Sequence, residues 1–245
     1  MNVIDIIGPS GAGKSTLRKS VQKKNDSIIG GESGRRGAVQ RTLPIKIPLT
    51  KINRKVCDLL WDCQLQKQHF LRFISSNTTY LSLFDELLKN RNDKSHILKL
   101  FIEKSARYNL YMSQTHDDET VILDDSILQI CIQILHKKKD LIDEVVSTVS
   151  EPNILIVLDT PPQICLDRQE ARERGRSSFF KSLSNSEAIS LLEDIRNVSL
   201  EISAKYENKD TKVLVIDGTK NQSRCVDLVN DFINSQTYFR QNEPY

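Results

Sequence analysis

Apolar, mostly β-branched residues gather in short runs at 3–7, where Asp5 is the one polar member, and at 121–123, 154–158 and 213–216, each closing on a polar or glycine-bearing turn. Continuous runs of this kind are the mark of strands buried on both faces of a parallel sheet. A weaker run at 27–29 allows a fifth strand. Between the runs, apolar residues recur with helical spacing over 17–24, 127–149, 187–207 and 226–233. Strands alternating with helices predict a doubly wound α/β fold with right-handed crossovers.

The stretch 30–119 breaks that rhythm. It opens on a glycine- and arginine-rich segment, GGESGRRGAVQRTLPIKIP, and continues with helical patterns over about 53–73, 80–89 and 97–112. Three helices in a row without a clear strand read as a helical insertion beside the strand ends, where open α/β sheets bind ligands. A chain of 245 residues suits one core domain carrying such an insertion and is short for two full domains, so residues 1–245 are expected to form a single domain.

Composition narrows the classes. With 38% hydrophobic and 27% charged residues and a net charge of +3, the chain reads as an ordinary globular protein. The basic excess is small, and the lysines at 137–139 and the arginines between 35 and 41 are too short a run to argue for a nucleic-acid partner. Five cysteines, odd in number and never in a C-x-x-C pair, fit reduced thiols, and four scattered histidines leave no zinc pattern. No apolar run approaches the roughly 20 residues that cross a bilayer, so no membrane insertion is expected. A first strand beginning at residue 3 leaves no room for a targeting segment, so the cytoplasm is the expected compartment. The oligomeric state stays open, a homodimer included.

The chemistry begins where the first strand ends. Gly8, Pro9, Ser10, Gly11, Ala12, Gly13, Lys14 and Ser15 match G-x-x-x-x-G-K-[ST] in full, between a strand and a helix, as a phosphate loop requires. Small residues let backbone N–H groups curl around a phosphate, and the following helix dipole favours its negative charge. Lys14 is expected on the β- and γ-phosphates, the Ser15 hydroxyl on Mg²⁺ and Thr16 on the α-phosphate. The string VILDDS carries an apolar strand into Asp124, the candidate outer-sphere Mg²⁺ contact, and Asp125, a candidate general base toward an acceptor hydroxyl. Adjacent acids at a strand end also make an ordinary solvated turn. Arg168, Arg172 and Arg176 repeat at i, i+4, i+8, with Arg174 to the side. A continuous helix would set the three on one face, able to close over a transferring phosphoryl group. A helix that merely pairs arginines with Glu170 and Glu173 explains them equally well.

The phosphate loop near residue 8, the string DTPPQICLDRQEARERGR and the closing VIDGTKNQSRCVDLVNDFI resemble the P-loop kinases of the nucleoside and nucleotide kinase group, thymidylate kinase among them. The resemblance spans about 1–24, 119–182 and 211–235 and leaves out the helical middle. It implies a three-layer P-loop NTPase fold with a roughly five-stranded parallel sheet, an acceptor-binding insertion at 30–119, an arginine-rich lid at 160–182, and ATP with Mg²⁺. It further implies that the loop of Asp217, Gly218, Thr219 and Lys220 holds adenine. By the same analogy Glu32 is an acceptor-binding or catalytic acid, and Arg35 and Arg36 bind an anionic acceptor.

One departure bears on the acceptor. Thymidylate and deoxynucleoside kinases carry an acid followed by arginine at the end of the third strand, where this chain has Asp124 followed by Asp125. A second carboxylate suits activating a neutral hydroxyl better than holding another phosphate. The expectation is therefore a kinase passing the γ-phosphate of Mg-ATP to a small-molecule hydroxyl, sugar or nucleoside-like. The alternatives are a nucleotide kinase, an NTPase or regulatory ATP binder, and a polynucleotide-end kinase.

Overall fold

The computed structural model describes residues 2–42, 51–89, 91–116, 119–173, 175–177 and 179–241. Every apolar run is a strand: β1 (Asn2–Ile7), β2 (Ile28–Ile29), β3 (Thr120–Leu123), β4 (Ile154–Asp159) and β5 (Lys212–Asp217). They form one all-parallel sheet in the order β2-β3-β1-β4-β5, with helices around it. The chain divides into two compact units, Met1–Val3 with Ser27–Ser150, and Ile4–Asp26 with Glu151–Tyr245.

In the first unit β2 and β3 pair with Ile28 opposite Thr120. Its helices are α2 (Gly31–Arg41), α3 (Lys51–Leu60), α4 (Gln66–Ser76), α5 (Thr79–Leu88), α6 (Lys94–Gln114), α7 (Ile127–Leu135) and α8 (Ile142–Thr148), with α1 (Lys14–Lys24) in the other unit. A single π-helical turn, Trp61–Leu65, joins α3 to α4. The core packs Ala38 and Val39 of α2 against Trp61, Leu110, Tyr111 and Val121. A second apolar centre is aromatic, with the Phe84 and Phe101 rings stacked at 3.7 Å between centroids.

Two segments differ from their expected form. Residues 31–41 belong to the glycine- and arginine-rich stretch yet fold as α2. A Cβ at Gly34 would stand 3.3 Å from the Tyr111 hydroxyl, so glycine lets α2 lie close on α6, where that hydroxyl donates to Gly31 O at 2.7 Å. Packing outweighs the poor helix propensity of glycine. The helical pattern over 127–149 is broken into α7 and α8 by a 3₁₀ turn, Lys139–Leu141. Nearly all of α7 is buried, and the basic run that follows has to leave that environment; the Lys138 ammonium ends on Glu86 O.

The second unit holds β1, β4 and β5 in register, Ile4 opposite Ile154 and Asp159 opposite Asp217. Its helices after α1 are α9 (Pro162–Glu170), α10 (Asn185–Glu207) and α11 (Gln222–Gln241). Proline opens α9 in its first turn, where no N–H is needed. Ser184 and Glu187 form a capping box at the start of α10. Beyond Glu170 the chain turns, and Gly175 takes φ +66°, so Arg168 is helical while Arg172 and Arg176 lie outside the helix. The single arginine face of a continuous helix is not formed.

Candidate functional site

The phosphate loop lies in the second unit, between β1 and α1. Gly8 (φ +139°) and Gly11 (φ +96°) are required where they stand: a Cβ would come within 2.7 Å of Leu158 O and 2.2 Å of Cys165 O respectively. A loop that aims N–H groups inward must turn carbonyls outward, and those carbonyls need donors. They have them. Lys14 Nζ donates to Gly8 O at 2.6 Å and Pro9 O at 2.9 Å. Gln169 Nε2 donates to Ser10 O at 2.9 Å, and Arg168 Nη1 to Ala12 O at 3.2 Å. The Thr160 hydroxyl reaches the same Ala12 O at 3.5 Å. The first turn of α1 begins at Lys14 and offers unpaired-by-helix N–H groups and a positive dipole end to an anion.

A cavity of about 330 Å³ opens beside the loop. Its polar wall comes from Gly11, Gly13, Thr16, Arg168 and Arg172, and its apolar side from Leu17, Leu158 and Cys225. Gly218 and Lys220 line it as well. Gly218 is held by donating its N–H to Asp159 O at 2.8 Å and accepting from Arg168 Nη2 at 3.0 Å. A Cβ there would fall 1.8 Å from the Thr160 hydroxyl, so the turn tolerates only glycine. Thr219 turns inward on its own loop, its hydroxyl 2.7 Å from Asp217 Oδ1, and that hydrogen bond lowers the Asp217 pKa. A cavity lined by loop backbone, arginines and apolar side chains has the size and mixed chemistry of a small-molecule site.

The arginines separate into three roles. Arg168 ties the Ala12 and Gly218 carbonyls together; Arg172 faces the cavity. Arg176 pairs with Glu170, donates to Leu183 O at 2.8 Å and reaches Asn185. Arg174 lies outside the described residues. Burial pushes the Cys165 thiol up to about 11 even though Lys14, Arg168, Arg172 and Arg196 draw it the other way.

Sequence reasoning passed over Thr160, Gln169 and the Arg196–Asp159 pair. Arg196 grips both carboxylate oxygens of Asp159 at the end of β4, and Asp159 in turn takes the Gly218 N–H. Gln169 had a legible signal, being the polar member of the buried stripe Cys165, Leu166, Gln169 on α9.

The first unit holds a chain of ion pairs. From Asp125 it runs to Lys104 (2.5 Å), Glu103 (3.0 Å), Arg107 (2.7 Å), Glu32 (2.8 Å), Arg35 (2.6 Å), Asp58 (2.7 Å) and Arg36 (2.8 Å). The cations lie deepest: the Lys104 and Arg35 side chains are 6% exposed, against 53% for Glu32 and Asp125. Trp61, buried in the π turn, places its ring 5.5 Å from the Arg35 guanidinium. Arg35 Nη1 and Arg107 Nε are buried and have no hydrogen-bond partner.

Burial alone would raise the Glu32 pKa, but the Arg107 and Arg35 guanidinium groups together hold it below the ordinary range. A hydrogen bond from Arg36 does the same for Asp58. The structure thus brings Glu32, Arg35 and Arg36 into one network and gives Asp125 a buried lysine as partner. Lys104 had a signal too, a charge at a buried position in the stripe Ile97, Phe101, Lys104, Tyr111.

Asp124 follows β3 directly, half-buried. Among the described residues no group of three or more His, Cys, Asp and Glu side chains could hold a metal ion. Among the same residues no helix is long and apolar enough to cross a membrane.

No family model matches the chain, and no curated protein sequence does. Among solved structures, deoxyadenosine kinase from M. mycoides with bound dCTP matches 95% of this chain and 99% of its own, with a TM-score of 0.51 and 16% identity. The same enzyme with its products dCMP and a flexible dCDP gives 95%, 99%, 0.53 and 16%. With bound dATP it gives 96%, 100%, 0.52 and 17%. At that identity the likeness is one of fold: the chain shares the fold of that deoxyadenosine kinase, here a five-stranded parallel sheet with helices around it.

Proposed function

We propose that this chain is a kinase that transfers the γ-phosphoryl group of Mg-ATP to a hydroxyl of a nucleoside. The observation that carries the reading is the phosphate loop with its carbonyls turned out and held, opening onto a cavity of about 330 Å³ that the Gly218 turn also lines. ATP has its base against Leu17, Leu158 and Cys225 and its phosphates on the loop N–H groups and the start of α1. Lys14 leaves the Gly8 and Pro9 carbonyls for the β- and γ-phosphates. Arg172 stabilises the charge that spreads over the equatorial oxygens of the transferring group. Ser15 is assigned to Mg²⁺, which would neutralise phosphate charge when bound.

The candidate acceptor residues Glu32, Arg35 and Arg36 lie on the ion-pair chain of the first unit. Four carboxylates match four cations along its ion-pair chain, so no surplus positive charge is offered to a second phosphate. A hydroxyl, which both donates and accepts, suits such a balanced cluster. The structural neighbour has dCMP among its products, and in that protein the product is a nucleoside monophosphate. Glu32 is assigned as the base. Two guanidinium groups orient its carboxylate and keep it ionised, and in a loose transition state the hydroxyl gives up its proton to that carboxylate only late, as the new O–P bond forms. Asp125, tied to Lys104, is assigned a positioning role.

The test is ADP release measured with no acceptor, with nucleosides and with nucleoside monophosphates. ADP formation that needs a nucleoside supports the proposal. Equal release without acceptor makes the chain an NTPase, and release only with nucleoside monophosphates makes it a nucleotide kinase.

A further inference from the structure

Gln169 is polar and completely buried (0% exposed) on a helix face otherwise lined by Cys165 and Leu166. Burying an amide is costly unless both of its ends are paired. Here Nε2 donates to Ser10 O at 2.9 Å, and Oε1 accepts from the Ser177 N–H at 3.3 Å. Ser10 is the third residue of the phosphate loop, and Ser177 follows the Gly175 turn. The Ser10 and Ser177 hydroxyls also approach to 3.5 Å. One buried amide therefore joins the loop to the segment that carries the arginines beyond α9.

We propose that Gln169 is a positioning residue for the donor site: it sets the orientation of the Ser10–Gly11 peptide, and so of the N–H groups facing the phosphates, and it couples that orientation to the place of the Ser177 segment. The two functions are inseparable by geometry. A peptide whose carbonyl is held outward presents its N–H to the other side of the loop. Without the Gln169 donor the Ser10 carbonyl is free to rotate inward, toward the phosphates, where a negative dipole end opposes them. Gly11, which lies C-terminal to that carbonyl and has no Cβ to resist, offers little barrier. Arg168, the neighbouring residue, is committed to the Ala12 and Gly218 carbonyls and does not hold that of Ser10. The inference rests on reading this loop as the phosphate site of ATP.

Gln169→Met keeps volume and removes both hydrogen bonds. The expected result is an affinity for a non-hydrolysable ATP analogue lower by about tenfold or more, since small misplacements of binding groups are this costly. The Ser177 amide should also lose hydrogen-exchange protection. Ile202→Val, a buried change on α10 away from the loop, serves as a stability control. If Gln169 were merely structural, affinity would follow the melting temperature in both variants, and that result overturns the proposal. Wild-type affinity and wild-type Ser177 protection in Gln169→Met overturn it as well. Failure of the parent protein to bind the ATP analogue would instead remove the nucleotide reading, while the exchange measurement at Ser177 still reports whether Gln169 holds that segment.

Discussion

Arg168→Ala removes a guanidinium that donates to Ala12 O at 3.2 Å and to Gly218 O at 3.0 Å, joining the phosphate loop to the Gly218 turn that lines the same cavity. Hydrogen bonds from a charged donor contribute about 1.5–3 kcal/mol each. If the loss of one such bond appears in nucleotide binding, because ATP must then order the two segments itself, the dissociation constant rises by roughly 10- to 150-fold. Turnover at saturating ATP should change by only about threefold, since the guanidinium is engaged with backbone and not with the transferring group. The measurement is titration calorimetry with a non-hydrolysable ATP analogue beside steady-state kinetics at saturating ATP. Unchanged affinity with turnover reduced about 10³-fold would refute the reasoning and return Arg168 to the role of a finger on the γ-phosphoryl group.

Arg172→Ala should show the opposite split, turnover falling about 10³-fold and affinity nearly constant, in the same pair of assays. Lys14→Ala should abolish transfer without changing the far-ultraviolet circular dichroism, and retained activity would sink the phosphate-site assignment. Glu32→Gln should lower turnover by about 10² or more, as loss of a general base does, and Asp125→Asn by less; equal losses in the two would argue against Glu32 as the sole base. The Tyr80 hydroxyl, buried and with its pKa pushed up to about 12, accepts the Ser150 N–H at 2.7 Å. Tyr80→Phe should therefore destabilise by about 1–3 kcal/mol in urea unfolding, with activity intact. Glu32 and Asp58 have folded pKa values below their ordinary 4.5 and 3.8, so the stability they contribute is full above those values. It is lost as pH falls through the lowered folded values, and Asp58→Asn should flatten that part of the stability curve.

The sheet was legible because strands buried on both faces leave apolar runs that need no partner to be recognised. The phosphate loop was legible for a related reason: its function is carried by local backbone shape, which glycine, lysine and serine at fixed spacing encode directly. Helix α2 was not, since Gly31, Gly34 and Gly37 read as loop until Tyr111, some eighty residues away, is seen packing on it. The ion-pair chain was hidden for the same reason. Glu32, Asp58, Glu103 and Asp125 lie on separate elements, and only folding places arginines and a lysine between them. The row of arginines misled in a specific way. Spacing of four suggests one helix face, but α9 ends at Glu170, which sends Arg168 to backbone carbonyls, Arg172 to the cavity and Arg176 to Glu170.

The central claim is tested most directly by the identity of the labelled product when the protein is incubated with γ-labelled ATP and a panel of nucleosides. The account predicts label in a nucleoside monophosphate, identified by mass, and none in that product for Lys14→Ala. Label found only as free phosphate, whichever nucleoside is offered, would contradict it.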